Sequence, residues 1–213
     1  MIQENTQSRT SVQSIVHRPI LFSGPMVRAI LEGRKTQTRR VIKGKGTWSV
    51  EEADDFSNRK WPGFEDEYGT WTDMECPYGD PTDRLWVRET HYVESAGSQD
   101  GVGRFVLYRA TDKDAPVSKW TPSIHMPRWA SRITLEITDV RVERLKQITD
   151  ADIAAEGIES LGPLPGTGGP SAGQFEGKYS TLRQLFSGLW VEINGQGSWD
   201  ADPWVWVVEF KVV

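Results

Sequence analysis

The sequence predicts an α+β domain in which five or six short strands build a small β-barrel, with about three short helices and two large loop insertions. Three observations predict it. Short runs that are β-branched or alternate apolar with polar recur at residues 36–42, 84–89, 104–109, 133–142 and 204–212. Apolar residues take helical spacing in three other segments, opening near Ser23, Thr149 and Leu182. Residues 43–82 and 160–180 show neither period: the first is rich in acids, the second in Gly and Pro.

Each element follows in order. Residues 1–17 are polar, rich in Ser, Gln and Thr, and lack the apolar stretch of a signal peptide, so they read as a disordered tail before a single domain over 18–213. Ser23, followed by Pro25, starts a short helix through Val27, Ile30 and Leu31, and Gly33 stops it. The 36–42 strand begins directly after. The insertion near 43–82 is expected to be a long loop anchored by Trp48, Trp61 and Trp71. Ile133, Leu135 and Ile137 alternate with polar residues, and Val140 and Val142 resume the pattern after a bulge at Asp139. Thr149 to Asp152 carries a capping-box pattern for a helix that ends at Gly157. Leu182, Leu185, Phe186, Leu189, Trp190 and Ile193 form one helical stripe.

A chain of 213 residues buries a core without staples, and its one cysteine, Cys76, forms no intrachain disulfide, which fits a reducing, cytoplasmic setting. No apolar run approaches a membrane span. The net charge of −5 argues against a general coat of nucleic acid. The charge is uneven, however. Residues 28–45 hold seven basic side chains against the single acid Glu32, while residues 49–83 hold eleven acids against Arg59 and Lys60. Such a stripe in an acidic chain points to a focused anion site. The ten tryptophans suggest stacking surfaces; Trp120 and Trp129, with Arg128 and Lys119, make the best aromatic-basic cluster, and packing of a long loop is the alternative. His17, His91, His125 and Cys76 lack paired ligand spacing, so no metal and no cofactor are expected. No Gly-rich phosphate loop follows a strand.

Ile30-Leu31-Glu32-Gly33-Arg34-Lys35-Thr36-Gln37-Thr38 resembles the signature of the ASCH domain, a branch of the PUA-like superfamily. Ala155-Glu156-Gly157-Ile158 resembles that family's second signature, and Val207-Val208-Glu209-Phe210-Lys211 its closing strand. The likeness spans roughly residues 18–213. His125 to Arg132 and Trp199 to Trp204 bring the chain nearer to the longer ASCH-like proteins of bacteriophages and prophages.

The resemblance implies a PUA-like barrel with a cleft for RNA or nucleotides. A small bacterial ASCH enzyme is an amidohydrolase that removes the acetyl group of N4-acetylcytidine. Its Lys, Thr and Glu fall on Lys35, Thr38 and Glu156 here. Other members are proposed RNA-binding modules or ribonucleases. This chain is about twice as long as the small enzyme.

The chemistry is coherent for those residue types. Thr38 offers a hydroxyl nucleophile, and Lys35 serves as its base if desolvation or a neighbouring cation lowers its pKa. Glu156 orients Lys35 or passes the proton to the leaving amine. The plain alternative is an ordinary Lys35–Glu156 ion pair with Thr38 as a strand residue. Arg34, Arg39, Arg40, Arg128, Trp120 and Trp129 would bind the substrate or nucleic acid. The expected partner is a modified nucleoside or a short single-stranded RNA. The alternatives are a non-catalytic module that binds RNA or a modified base, a ribonuclease, and a phage protein directed at a host protein.

Overall fold

The computed structural model describes residues 14–43, 63–65, 71–98, 101–158 and 181–213. The strands are β1 (His17–Leu21), β2 (Gln37–Val41), β3 (Gly63–Glu65), β4 (Trp71–Asp73), β5 (Arg84–Arg88), β6 (His91–Ser98), β7 (Gly101–Tyr108), β8 (Thr134–Arg144) and β9 (Trp204–Val212). The helices are α1 (Gly24–Leu31), α2 (Asp150–Ala155) and α3 (Leu182–Asn194). Five strands form the main sheet in the order β1-β5-β8-β9-β2, and β3–β4 and β6–β7 are separate hairpins. The β1–β5 pair is parallel; the other ladders of the main sheet are antiparallel.

β1 and β2 lie at opposite ends of the strand order and share no ladder among the described residues. Arg40 of β2 nevertheless donates through Nη2 to Leu21 O of β1 at 2.8 Å. Two ends of a five-stranded sheet meet within one side chain's reach only if the sheet curls. The α+β architecture is therefore as expected, in the form of a curled sheet with a gap between its edges.

The curl gives the sheet an inner and an outer face, each with its own core. The inner core joins Ile20, Leu85, Val87, Leu135, Ile137, Trp206, Val208 and Phe210 with Val27 and Ile30 of α1. The outer core packs Val205 and Val207 against Ile153 of α2 and Leu185, Phe186 and Trp190 of α3. Covered on both sides, β9 reads Val-Trp-Val-Val without alternation, and all four of those residues are buried.

Local signals account for most boundaries. Ser23 is the N-cap of α1, with Pro in its first turn, and Gly33 adopts φ +73° just beyond the helix end. Thr149 caps α2 in a capping box with Asp152. The register of β8 against β9 shifts between Ile137 and Asp139, where the bulge was expected. Three features differ from expectation. His17, placed in the tail, begins β1 and pairs with Arg84. β6 runs as a ribbon with β7 where only the latter's strand was expected. The stretch expected as loop contains the β3–β4 hairpin. Residues 1–13, most of 43–82 with Trp48 and Trp61, and 159–180 lie outside the described residues.

Candidate active site at the edge of the sheet

β2 is an edge strand, and alternate backbone groups of an edge strand point away from the sheet. Thr36 O accepts from Phe210 N on β9 at 2.8 Å, so the next carbonyl, Gln37 O, faces outward. Lys35 takes that carbonyl: its Nζ donates to Gln37 O at 2.8 Å. Glu156, the C-cap of α2, takes the next outward N–H, with Arg39 N donating to Glu156 Oε1 at 2.7 Å. Lys35 and Glu156 then meet each other, Nζ to Oε2 at 2.5 Å, and Nζ also donates to Glu156 O at 3.0 Å. Thr38 is the residue between the two bracketed backbone groups.

The turn after α1 delivers Lys35 to this place. Arg34 N and Lys35 N both donate to Ala29 O, at 2.8 and 3.0 Å, and Thr36 N donates to Ala155 O at 2.8 Å. Gly157 permits the close approach. Its φ is +89°, and a Cβ there would stand 2.9 Å from Ala29 Cβ and 3.1 Å from Lys35 Cβ.

The pair is dry. The Lys35 side chain has no exposed surface, that of Glu156 is 8% exposed, and the Phe22 ring lies 5.6 Å from Nζ. Burial lowers the Lys35 pKa from its ordinary 10.5, against the opposing pull of Glu156; Arg40 and Arg39 push it further down. All three ammonium hydrogens have acceptors, so the pair closes the sheet edge.

Strand alternation sends Arg39 and Arg40 to opposite faces. Arg39, 4% exposed, turns to the outer face and meets Glu143 Oε2 at 3.1 Å and Asp152 Oδ2 at 3.3 Å. Arg141 binds the same acids, with Nε 2.5 Å from Glu143 Oε1 and Nη2 3.0 Å from Asp152 Oδ1. Burial opposes ionisation of Asp152, but bonds from Thr149, Gln37 and the charge of Arg39 hold its carboxyl well below the ordinary range. Arg40 turns inward with Thr38; their partners on β9, Trp206 and Val208, belong to the inner core. There Arg40 lies 5.4 Å from the Phe22 ring centroid.

The gap between β1 and β2 forms a cleft of about 220 Å³, lined by Pro19, Ile20, Leu21, Arg40, Tyr78 and Arg88. The expected basic stripe is thus not one exposed surface. Lys35 and Arg39 are buried in ion pairs, and Arg34 bonds Glu32 and Gly157 O. Arg40 is the member that opens onto the cleft. Arg128 and Trp129 are exposed on the turn after His125, and Trp120 is half-buried in the preceding loop. Arg88 and Tyr78 line the cleft without having been singled out in the sequence. Arg88 closes the alternating run Arg-Leu-Trp-Val-Arg, a signal that the polar side of β5 carries charge, while Tyr78 lies in the stretch expected to be insertion. Among the described residues, no group of three or more His, Cys, Asp and Glu is disposed to hold a metal. No described helix is long and apolar enough to cross a membrane.

These features define an α+β domain with a buried Lys–Glu pair at the edge of a curled sheet and a basic cleft beside it. No protein-family model matches the chain, and no curated protein matches it. Among solved structures, the crystal structure of an ASCH domain from Lactobacillus crispatus JV V101 overlaps 92% of this chain and 79% of its own, at 14% identity and a TM-score of 0.36.

Proposed function

We propose that the chain acts on a modified nucleoside, and that it hydrolyses an N-acyl amide of the N4-acetylcytidine type. The observation that carries the reading is the buried Lys35–Glu156 pair, 2.5 Å apart, whose two backbone contacts bracket Thr38. The ASCH-like motifs at residues 30–38 and 155–158 favour the same three residues.

Burial disfavours the Lys35 ammonium, so the proton it shares with Glu156 is available for transfer. Transfer of a proton from Lys35 to Glu156 yields an amine and a carboxylic acid. The amine takes the Thr38 hydroxyl proton as the oxygen attacks the acyl carbon. The carboxylic acid gives its proton to the departing exocyclic nitrogen. The C–N bond breaks and an acyl-threonine remains; water, deprotonated by Glu156, then attacks the acyl carbon, the ester C–O bond breaks, Lys35 returns its proton to the Thr38 oxygen, and the free acid leaves. Arg40, on the inner face with Thr38, would stabilise the oxyanion.

A second reading is favoured by the filled hydrogen-bond set of Lys35: the pair closes the sheet edge and the protein only binds its ligand. Incubation with N4-acetylcytidine, followed by measurement of cytidine release, separates the two. Turnover that vanishes in Thr38→Val supports hydrolysis. Absence of turnover in the wild type, together with saturable binding of the nucleoside, leaves the binding module.

A further inference from the structure

We propose that the ion cluster on the outer face is part of the site, with Arg39 as a positioning residue: it holds Oε1 of Glu156 while Lys35 holds Oε2, and Asp152 sets how closely its guanidinium approaches. Each carboxylate oxygen thus has its own cation. Oε2 meets Lys35 Nζ at 2.5 Å. Oε1 accepts from Arg39 N at 2.7 Å and stands 3.9 Å from Nη1 of the same residue. The Arg39 side chain has no exposed surface, so it reaches no substrate, and with Glu156 8% exposed little solvent screens the contact. Charge on Arg39 is therefore felt at the pair. Burial lowers the Lys35 pKa against the pull of Glu156, and Arg40 and Arg39 lower it further.

Asp152 competes for the same guanidinium. It lies four residues before Glu156, the C-cap of α2, and so on the same face of that helix. Its Oδ2 is 3.3 Å from Arg39 Nη2, and Glu143 Oε2 of β8 is 3.1 Å from the same nitrogen. Asp152 is tied down: it accepts from Thr149 N at 3.0 Å, Thr149 Oγ1 at 2.6 Å, Gln37 Nε2 at 3.1 Å and Arg141 Nη2 at 3.0 Å. Arg39 is less so. Its Nη1 donates to Gln37 Oε1, but its Nε is buried with no hydrogen-bond partner among the described residues. The guanidinium thus stands between a fixed acid and Glu156, and farther from Glu156 than a close ion pair. A staple between α2 and the sheet needs only Asp152, Glu143 and Arg141; the approach of Arg39 to Glu156 is what couples that staple to the proton. The other charges around the pair are Arg40 on β2, Arg141 and Asp139 on β8, and Glu209 on β9. Of these, Arg141 binds Asp139, Glu143, Asp152 and Glu209.

The coupling rests on the hydrolase reading only for what the pair does with its proton, so its test includes a readout that needs no turnover. In protein carrying carbon-13 lysine, the Lys35 Cε resonance, assigned by its loss in Lys35→Met, is followed by NMR from neutral to alkaline pH. The alkaline limb of N4-acetylcytidine turnover, where the pair gives up the shared proton, is followed beside it. Arg39→Gln removes a cation and should raise the Lys35 midpoint by about one pH unit. Asp152→Asn keeps acceptors for Thr149 and Gln37 but removes an anion and releases Arg39 towards Glu156, so it should lower the midpoint by about half a unit. Arg39→Lys restores the cation and should return the midpoint close to the wild-type value. The alkaline limb should move with the midpoint in each variant. A purely structural cluster predicts lower melting temperatures and an unmoved midpoint. Where Arg39→Gln does not fold, Asp152→Asn decides by the sign of its shift. An unmoved midpoint, a rise in Asp152→Asn, or shifts of the same sense in Arg39→Gln and Asp152→Asn would overturn the coupling. A wild type without turnover whose Lys35 midpoint responds as described removes the hydrolase reading alone; turnover with an unmoved midpoint removes the coupling alone.

Discussion

Thr38 is 3% exposed and lies between two backbone groups already held by the ion pair. Valine has nearly its shape without the hydroxyl. Thr38→Val is expected to fold with a stability change of about 1 kcal/mol, the scale of one lost hydrogen bond, and to lose turnover at least a hundredfold, while Thr38→Ser keeps part of it. Lys35 differs, because its removal leaves Glu156 buried and uncompensated. Lys35→Ala should cost about 3–5 kcal/mol, so loss of activity in that variant alone does not assign a role. The pH dependence is more telling. The folded-state pKa of Lys35 is below its unfolded value of 10.5, so the unfolded chain binds the extra proton between the two values. Stability linked to this residue is therefore greatest above 10.5 and falls as the pH drops through the folded pKa. Urea titrations from neutral to alkaline pH should show that rise in the wild type and not in Lys35→Met. Charge counting could not separate Arg39 from Arg40. They are neighbours in a basic run, and only the strand period, combined with knowledge of what covers each face, sends one to Asp152 and the other to the cleft.

At the scale of elements, caps and bulges were legible because their causes are local. Thr149 with Asp152, Pro25 after Ser23, and the break at Asp139 each act within a few residues, and each appears where it was expected. β1 was not legible. Its parallel partner β5 is distant in the chain, and its outward residues His17, Pro19 and Leu21 give no clear alternation. β6 was missed for a related reason: its stability comes from pairing with β7, and its end, Ser-Ala-Gly-Ser, is weak in β propensity. The joint between α1, β2 and α2 was legible only as motifs. Gly157 shows what it requires. Gly157→Ala combines a left-handed backbone with contacts closer than a Cβ tolerates, to Ala29 and to Lys35 itself. It should cost about 2 kcal/mol, measured by urea denaturation, and should lower turnover further by displacing the Lys35 backbone.

Over the whole molecule, charge and curvature act together. In a chain with a net charge of −5, Arg40 and Arg88 line the gap left by the curled sheet without a carboxylate partner among the described residues, while acids hold Arg39 and Arg141 on the outer face. The barrel-like architecture could be read from the pattern of strands, but the gap could not, since it depends on where the two edge strands come to rest. Thr38 and Arg40 share the inner face of β2, and of the two Arg40 lines the cleft, while Lys35, Thr38 and Glu156 are buried and do not line it. The most direct measurement is cytidine release from N4-acetylcytidine by the wild type and by Thr38→Val under identical conditions, with the melting temperature of both recorded. The account predicts turnover by the wild type, and turnover reduced at least a hundredfold in a variant that melts within a few degrees of it. Equal turnover by the two proteins, or none by a wild type that binds the nucleoside, would contradict it.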